Sequence, residues 1–302
     1  MSDAFDILVF GSAIVDFISY VPRLPKPGET IHGTKLATGY GGKGANQCVA
    51  GAKLGAKTAF IGYLGTDSWG DKYMENFKAE NVDTFFVERV EEEPTGIAQI
   101  CVSDNGDNQI VIITGANNSL GPENVLKAMD YMENSKVLLC QLETPLEGTI
   151  EALKSFRGIS ILNTAPALDE TPLELIRSPS ILCANETEAT LMTGVQIEDL
   201  SDAQDAINEL INMGAKSIIL TLGEKGALYS MENNRQIIHV EATKVDRVVD
   251  TTGAGDAFIG SLAYFLAKHP HMEMHQKIGA ACYVAAFSVQ KPGTQSSFPR
   301  AT

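Results

Sequence analysis

The chain has 302 residues, 44% of them hydrophobic, and a formal net charge of −15 from 38 acidic and 23 basic side chains. Such a length can bury one large core or two average ones, and the charge argues against broad binding to nucleic acid or to an anionic membrane, both of which need basic patches. The five cysteines (Cys48, Cys101, Cys140, Cys183, Cys282) are scattered, odd in number and never spaced as Cys-x-x-Cys, which points away from disulfides or zinc and toward a reducing, cytoplasmic setting.

The acidic start, Met1 to Asp6, lacks signal-peptide character, and no apolar run reaches the roughly 18 residues of a membrane span. Ile7–Phe10 is a short apolar β run that ends in Gly11-Ser12, with Asp16 just beyond. Phe17 to Thr38, punctuated by Pro22, Pro25 and Pro27, suits irregular or edge β structure. A helix over Ala45–Leu54, a strand over Thr58–Leu64 and a helix over Ser68–Glu80 follow, and then two β runs, Ile97–Ser103 and Gln109–Thr114, flank the turn Asp104-Asn105-Gly106-Asp107 as a hairpin. Beyond it, strands are predicted over Val137–Leu142, Ser160–Asn163, Ile181–Ala184 and Ser217–Leu222. The matching helices are Pro122–Met132, Pro145–Phe156, Glu186–Thr193, Asp202–Met213, Ala254–Ala267 and Met274–Ser288.

This alternation predicts an α/β fold: a mostly parallel, Rossmann-like central sheet with helices on both faces. The two segments that break the rhythm, 17–38 and 97–114, are expected to join as a small β-sheet lid over a core made of 1–16, 39–96 and 115–302.

Ligands of open parallel sheets bind beyond the carboxyl ends of the strands, and those positions are polar here: Gly11-Ser12 and Asp16, Glu143, Asn185 to Glu188, and Gly223-Glu224-Lys225-Gly226. Each alone also makes an ordinary cap or turn. The richest stretch is Asp250-Thr251-Thr252-Gly253-Ala254-Gly255-Asp256, which sets small-residue amides and a carboxylate at the start of an apolar helix. A helix N-terminus favours an anion, and Asp256 stands beside it as a candidate base; the same residues equally make a plain capped helix start. Gly39, Gly41 and Gly44 match the G-x-G-x-x-G pattern, but Lys35-Leu36-Ala37-Thr38 is a poor buried parallel strand, so the match reads as a decoy rather than a dinucleotide site. The five histidines have no metal-ligand spacing suited to a strand end, and the sequons at Asn117 and Asn185 read as chance.

Together, Gly41-Gly42-Lys43-Gly44-Ala45-Asn46-Gln47 and Asp250 to Asp256 resemble the two signatures of the ribokinase-like, phosphofructokinase-B-type family of carbohydrate kinases, and the likeness runs from Gly11 to about Pro299. Gly28-Glu29-Thr30, Gln141-Leu142-Glu143 and Gly293 to Ser297 are more similar to its ribose-phosphorylating members than to adenosine kinases or fructokinases. The resemblance implies ATP-dependent phosphorylation of D-ribose at O5. Asp16, Gly42, Lys43, Asn46 and Glu143 would line the sugar pocket, Asp256 would be the base, and the amides of Gly253, Ala254 and Gly255 would form an anion hole. It further implies Asn185, Thr221, Gly223, Gly226 and Gly255 beside the nucleotide, and Asn185 with Glu188 ordering Mg2+. An activating K+ would lie among Asp250, Thr252, Ser288, Lys291, Gly293 and Ser297. Ile14, Ser261 and Cys282 depart from the usual residues of the family. An exposed lid sheet invites a homodimer. The rival readings are another sugar or nucleoside kinase of the family, a non-catalytic sugar or nucleotide sensor on the same fold, and a dehydrogenase built on Gly39 to Gly44.

Overall fold

The computed structural model describes residues 4–301, so Met1, Ser2 and Asp3 of the acidic start, and Thr302, lie outside it. In chain order the strands are β1 (Ile7–Phe10), β2 (Ile14–Val21), β3 (Lys35–Gly41), β4 (Thr58–Gly65), β5 (Val82–Asp83), β6 (Val87–Val90), β7 (Gly96–Ser103), β8 (Asn108–Ile113), β9 (Val137–Cys140), β10 (Ile159–Asn163), β11 (Ile181–Asn185), β12 (Ile218–Thr221), β13 (Ala227–Met231) and β14 (Asn234–Val240). The helices are α1 (Lys43–Lys53), α2 (Ser68–Ala79), α3 (Pro122–Lys127), α4 (Met129–Met132), α5 (Leu146–Ser155), α6 (Leu173–Arg177), α7 (Glu186–Thr193), α8 (Leu200–Met213), α9 (Ala254–Lys268) and α10 (Met274–Ser288).

The main sheet runs β14-β13-β12-β11-β10-β9-β1-β4-β5, with β6 also paired to β4. Strands β12 through β4 are parallel, and the β13–β14 hairpin closes one edge antiparallel. The short apolar runs form these strands because both faces are covered. Ile7, Val9, Val137, Leu139, Ile161, Ile181 and Ile219 point into one core, while Leu8, Phe10, Leu138, Leu162, Leu182 and Ile218 point into the other. The chain crosses from β1 to β4 on one side and to β9 on the other, so the crevice at the end of β1 is the switch point where such sheets bind ligands.

The second sheet has the order β3-β2-β7-β8. It joins the two irregular segments, but its strands run further than the turn residues suggested: β2 begins at Ile14 and β3 reaches Gly41. Asp16 therefore stands on the small sheet and not on the core, because Ile14 and Val15 continue straight into the pairing with β3 and β7. The same pairing explains the decoy glycines, since the strand that leads to them is an antiparallel strand of the small sheet. Further differences from the expected elements are the break at Ala128, which divides the expected 122–132 helix into α3 and α4, and the unanticipated β13–β14 hairpin, strands β5 and β6 and helix α6.

Helices α1 and α9 pack side by side behind β1. A Cβ on Gly260 would press on the Gln47 carbonyl and lie 2.6 Å from Ala50 Cβ, so glycine is what lets the two backbones approach this closely. That approach brings the first turn of α1 against the first turn of α9.

Candidate active site

The crevice at the end of β1 collects residues from six elements. Asp16 projects from β2 onto Gly41, where its Oδ1 would lie 2.7 Å from an added Cβ. Gly42 is the N-cap of α1, and Lys43, Asn46 and Gln47 occupy the first turns of that helix. Glu143 follows β9; its Oε2 accepts from the Ser12 hydroxyl and, at 2.8 Å, from the Lys43 amide. Asp256 lies in the first turn of α9, 8% exposed. Its Oδ2 accepts from Asn46 Nδ2 at 2.9 Å and its Oδ1 from Gln47 Nε2 at 3.0 Å.

Four carboxylates, Asp16, Glu143, Asp256 and Glu188, thus act on Lys43. Burial and the neighbouring Glu143 and Asp256 push the Asp16 carboxyl up to about 7. Burial raises Asp256 to about 6, held there by Lys43 and by the hydrogen bonds from Gln47 and Asn46. Burial alone would lower the Lys43 ammonium, but Asp256, Glu143, Glu188 and Asp16 outweigh it and raise it. A base that titrates near 6 is mostly ionised at neutral pH and still basic enough to take a hydroxyl proton.

At the tip of α9, Gly253 is left-handed, with φ of 77°, and the amides of Ala254, Gly255 and Asp256 precede the first intrahelical bond, Ala257 N–H to Gly253 carbonyl. One correction to the expected anion hole follows: the Ala254 amide donates to the Thr251 carbonyl at 3.2 Å, because the turn before α9 closes on itself. Gly255 keeps its amide clear of that turn.

Asn185 and Thr221 are register partners at the carboxyl ends of β11 and β12. Asn185 caps α7 in a closed box: its Oδ1 accepts from the Glu188 amide at 2.9 Å, Glu188 Oε2 accepts from the Asn185 amide at 3.0 Å, and Asn185 Nδ2 reaches Glu188 Oε1 at 2.9 Å. Burial raises the Glu188 carboxyl against those hydrogen bonds and one from Thr164. With its oxygens so engaged, the pair suits a cation held through water and phosphate rather than by direct ligation. Gly223 and Gly226 bracket the short 3-10 turn after β12. Among the described residues, no group of three His, Cys, Asp or Glu side chains forms a metal cage.

Asp250 ties two loops together: its Oδ1 accepts from the Thr252 amide and its Oδ2 from the Gly293 amide, each at 2.9 Å. Burial opposes its ionisation, but hydrogen bonds from Thr252 and Gly293 outweigh that and hold the carboxyl below its ordinary value. The Ser288 and Ser297 hydroxyls turn back to the carbonyls of Ala285 and Thr294, and Lys291 Nζ lies 4.7 Å from the Phe287 ring centroid. Asp250 thus places a fixed anion between the segments, 250–252 and 288–297, that the resemblance assigns to a monovalent cation.

The sequence reading missed Gln47, Gln141, Asn163 and Gln295 as members of this network. The available signal was the polar pair Asn46-Gln47 inside an otherwise small and apolar helix, since buried amides must find partners. Asn117, whose sequon reads as chance in the sequence, is fully buried and clamps Ala13 beside the site through both its side-chain oxygen and nitrogen.

A sequence profile of pfkB family carbohydrate kinases matches residues 4–301. Ribokinase of Mus musculus is 40% identical over 300 residues, covering 98% of this chain and 93% of that protein. Deoxyribokinase of Salmonella typhi is 39% identical over 297 residues, covering 97% and 95%. A solved structure of Arabidopsis thaliana ribokinase complexed with ribose and ATP matches with a TM-score of 0.90 at 32% identity, over 99% of this chain and 96% of that one.

Proposed function

Since the chain belongs to the pfkB family of carbohydrate kinases, we propose that it transfers the γ-phosphoryl group of ATP to O5 of D-ribose, giving ribose 5-phosphate and ADP. The observation that carries this reading is the convergence of Asp16, Lys43, Asn46, Glu143 and Asp256 on one crevice beside the open tip of α9.

In this reading the ionised carboxylates accept from the sugar hydroxyls, where charge-assisted hydrogen bonds are strongest. Asp256 takes the proton from O5 as that oxygen attacks phosphorus in line, and ADP leaves with the bridging oxygen. The amides of Gly253 and Gly255 face the charge that spreads over the migrating group. Lys43 balances the surrounding acids. Asn185 and Glu188 would order Mg2+ and its waters, which would neutralise the phosphates when bound. The carbonyls near Asp250 and Gly293 would hold K+, and so keep the α9 tip in register. Closure of the small sheet over the crevice would exclude water, the competing acceptor. Its outer strand β8 is exposed and apolar, which supports a homodimer through the lid. A cytoplasmic location agrees with five free thiols and with the absence, among the described residues, of any helix long and apolar enough to cross a membrane.

The deoxyribokinase relative favours one second acceptor, 2-deoxyribose, for the same site. The test is ADP release with a panel of sugars and nucleosides, with ATP and Mg2+, in the presence and absence of K+. Ribose is expected to give the highest kcat/KM and 2-deoxyribose the next; a preferred nucleoside or hexose, or no ADP release with any acceptor, would overturn the reading.

A further inference from the structure

One buried side chain in this region has no part in the reaction proposed above. Gln295, 5% exposed, lies beyond α10 and two residues after the Gly293 amide that Asp250 anchors. Its Oε1 accepts from Asn76 Nδ2 of α2 at 2.9 Å. Its Nε2 donates to Asn46 Oδ1 at 3.0 Å and to the Tyr73 hydroxyl at 3.2 Å, and that hydroxyl in turn donates to the Gly41 carbonyl. Asn46 then donates to Asp256. On the other side Gln141 Nε2 donates to Gln47 Oε1 at 2.7 Å, and Gln47 donates to the second oxygen of Asp256. Both arms run in one direction, N–H to O, and end on the same carboxylate.

The two ends of an amide have nearly the same shape, so what stands behind Asn46 decides which end faces Asp256. A donor behind it holds Oδ1 outward and Nδ2 toward the carboxylate. Reversed, Asn46 would set oxygen against oxygen and replace a charge-assisted hydrogen bond with repulsion.

We propose that Gln295 is a positioning residue: by donating to Asn46 Oδ1 it fixes the Asn46 amide in the sense that donates to Asp256, with Asn76 fixing Gln295 from outside. The charged groups that face Asp256 from the packed elements are Lys43 on α1, which favours its ionised form, and Asp16 on β2 and Glu143 after β9, which oppose it. Neutral substitutions in the relay leave all three charges in place, so the effect of the relay is separable from theirs. The proposal rests on Asp256 being the base.

The experiment uses Gln295→Met, close in volume, and Asn76→Leu, which alters a half-buried residue of α2 one hydrogen bond further from Asp256 than Gln295. In protein carrying 13C-labelled aspartate, with the Asp256 resonance assigned by Asp256→Asn, the carboxyl is titrated by NMR beside the pH profile of kcat/KM for the sugar. Both variants should titrate about half to one pH unit above the wild type. At pH 7 kcat should fall by no more than about twofold, and at pH 5 by roughly three- to tenfold, while KM for ATP stays within about twofold. An unmoved Asp256 titration in folded Asn76→Leu and Gln295→Met overturns the proposal, and Asn76→Leu alone decides if Gln295→Met does not fold. A titration that moves while the rate profile stays fixed upholds the relay and removes Asp256 from the role of base.

Discussion

Asn46 and Asp256 lie 210 residues apart in sequence, on two different helices, yet their side chains meet at 2.9 Å. The contact joins the two glycine-rich signatures into one site. It also makes Asn46 and Asp256 mutually dependent, because the Asn46 amide donates to the Asp256 carboxylate.

Asp256→Asn keeps the size of the side chain, although its NH2 must face one of the two donors, Asn46 Nδ2 or Gln47 Nε2, and it removes the proposed proton acceptor. Turnover should fall by roughly 10²–10⁴-fold, with KM for sugar changed far less. In the wild type, kcat/KM should decline about tenfold per pH unit below about 6, where Asp256 protonates. Near-normal turnover of the variant removes Asp256 from this role.

The raised carboxyls also set the sign of a stability effect. Asp16 titrates near 7 in the folded chain, above its ordinary 3.8, so the native state holds its proton more tightly than the unfolded state does. Its contribution to stability is complete below about 4 and is lost as pH rises through 7. Asp16→Asn, which cannot ionise, should therefore raise Tm at pH 8, by about 1–3 kcal/mol of stability, with the gain vanishing by about pH 4. Equal Tm differences at both pH values would contradict this.

Much of this architecture was legible in the sequence, for a physical reason. Strands buried on both faces must be short and uniformly apolar, as Ile7–Phe10 and Ile181–Ala184 are, and polar residues placed just after them can only be turns or ligands. Asp16, expected just beyond the strand Ile7–Phe10 and within the core segment 1–16, stands on a strand of the small sheet, because Ile14 and Val15 are apolar enough for either and only pairing with Tyr40 and Ile97 decides between them. The amide relay was illegible for a different reason: its members are separated by up to 249 residues, and no local pattern marks which buried amides will meet.

Gly253 tests the anion hole without touching a charged group. Its φ is 77°, and an added Cβ would lie 2.5 Å from Thr294 Cγ2. Gly253→Ala should cost about 1–2 kcal/mol through the left-handed backbone and displace the α9 tip. The expected result is a kcat loss of at least about tenfold with sugar affinity kept. Wild-type kcat in a folded variant would mean that these amides do not meet the migrating group.

The lid offers a separate test. Ile110, Val111 and Ile112 of edge strand β8 are 52%, 62% and 47% exposed, a contiguous apolar run that a lone sheet leaves in water. The wild type should sediment as a dimer at micromolar concentration, and Val111→Glu as a monomer, since a carboxylate in a paired apolar face is left without a partner. A wild type that stays monomeric at high concentration refutes the lid dimer.

Asp250 is the last point of leverage, because it holds the Thr252 and Gly293 amides at once and so couples the α9 turn to the loop that carries Gln295. If K+ binds there through carbonyls, the carboxylate supplies the charge that balances it. Asp250→Ala should then abolish the difference in rate between K+ and Na+ buffers and lower kcat by roughly tenfold or more, while Asp250→Asn, which keeps one acceptor oxygen, should retain an intermediate response. The measurement is initial rate against K+ concentration at constant ionic strength. A wild type with equal rates in K+ and Na+ contradicts the cation assignment. If instead the wild type responds to K+ and Asp250→Ala responds equally, the cation binds elsewhere and Asp250 serves only to join the two loops.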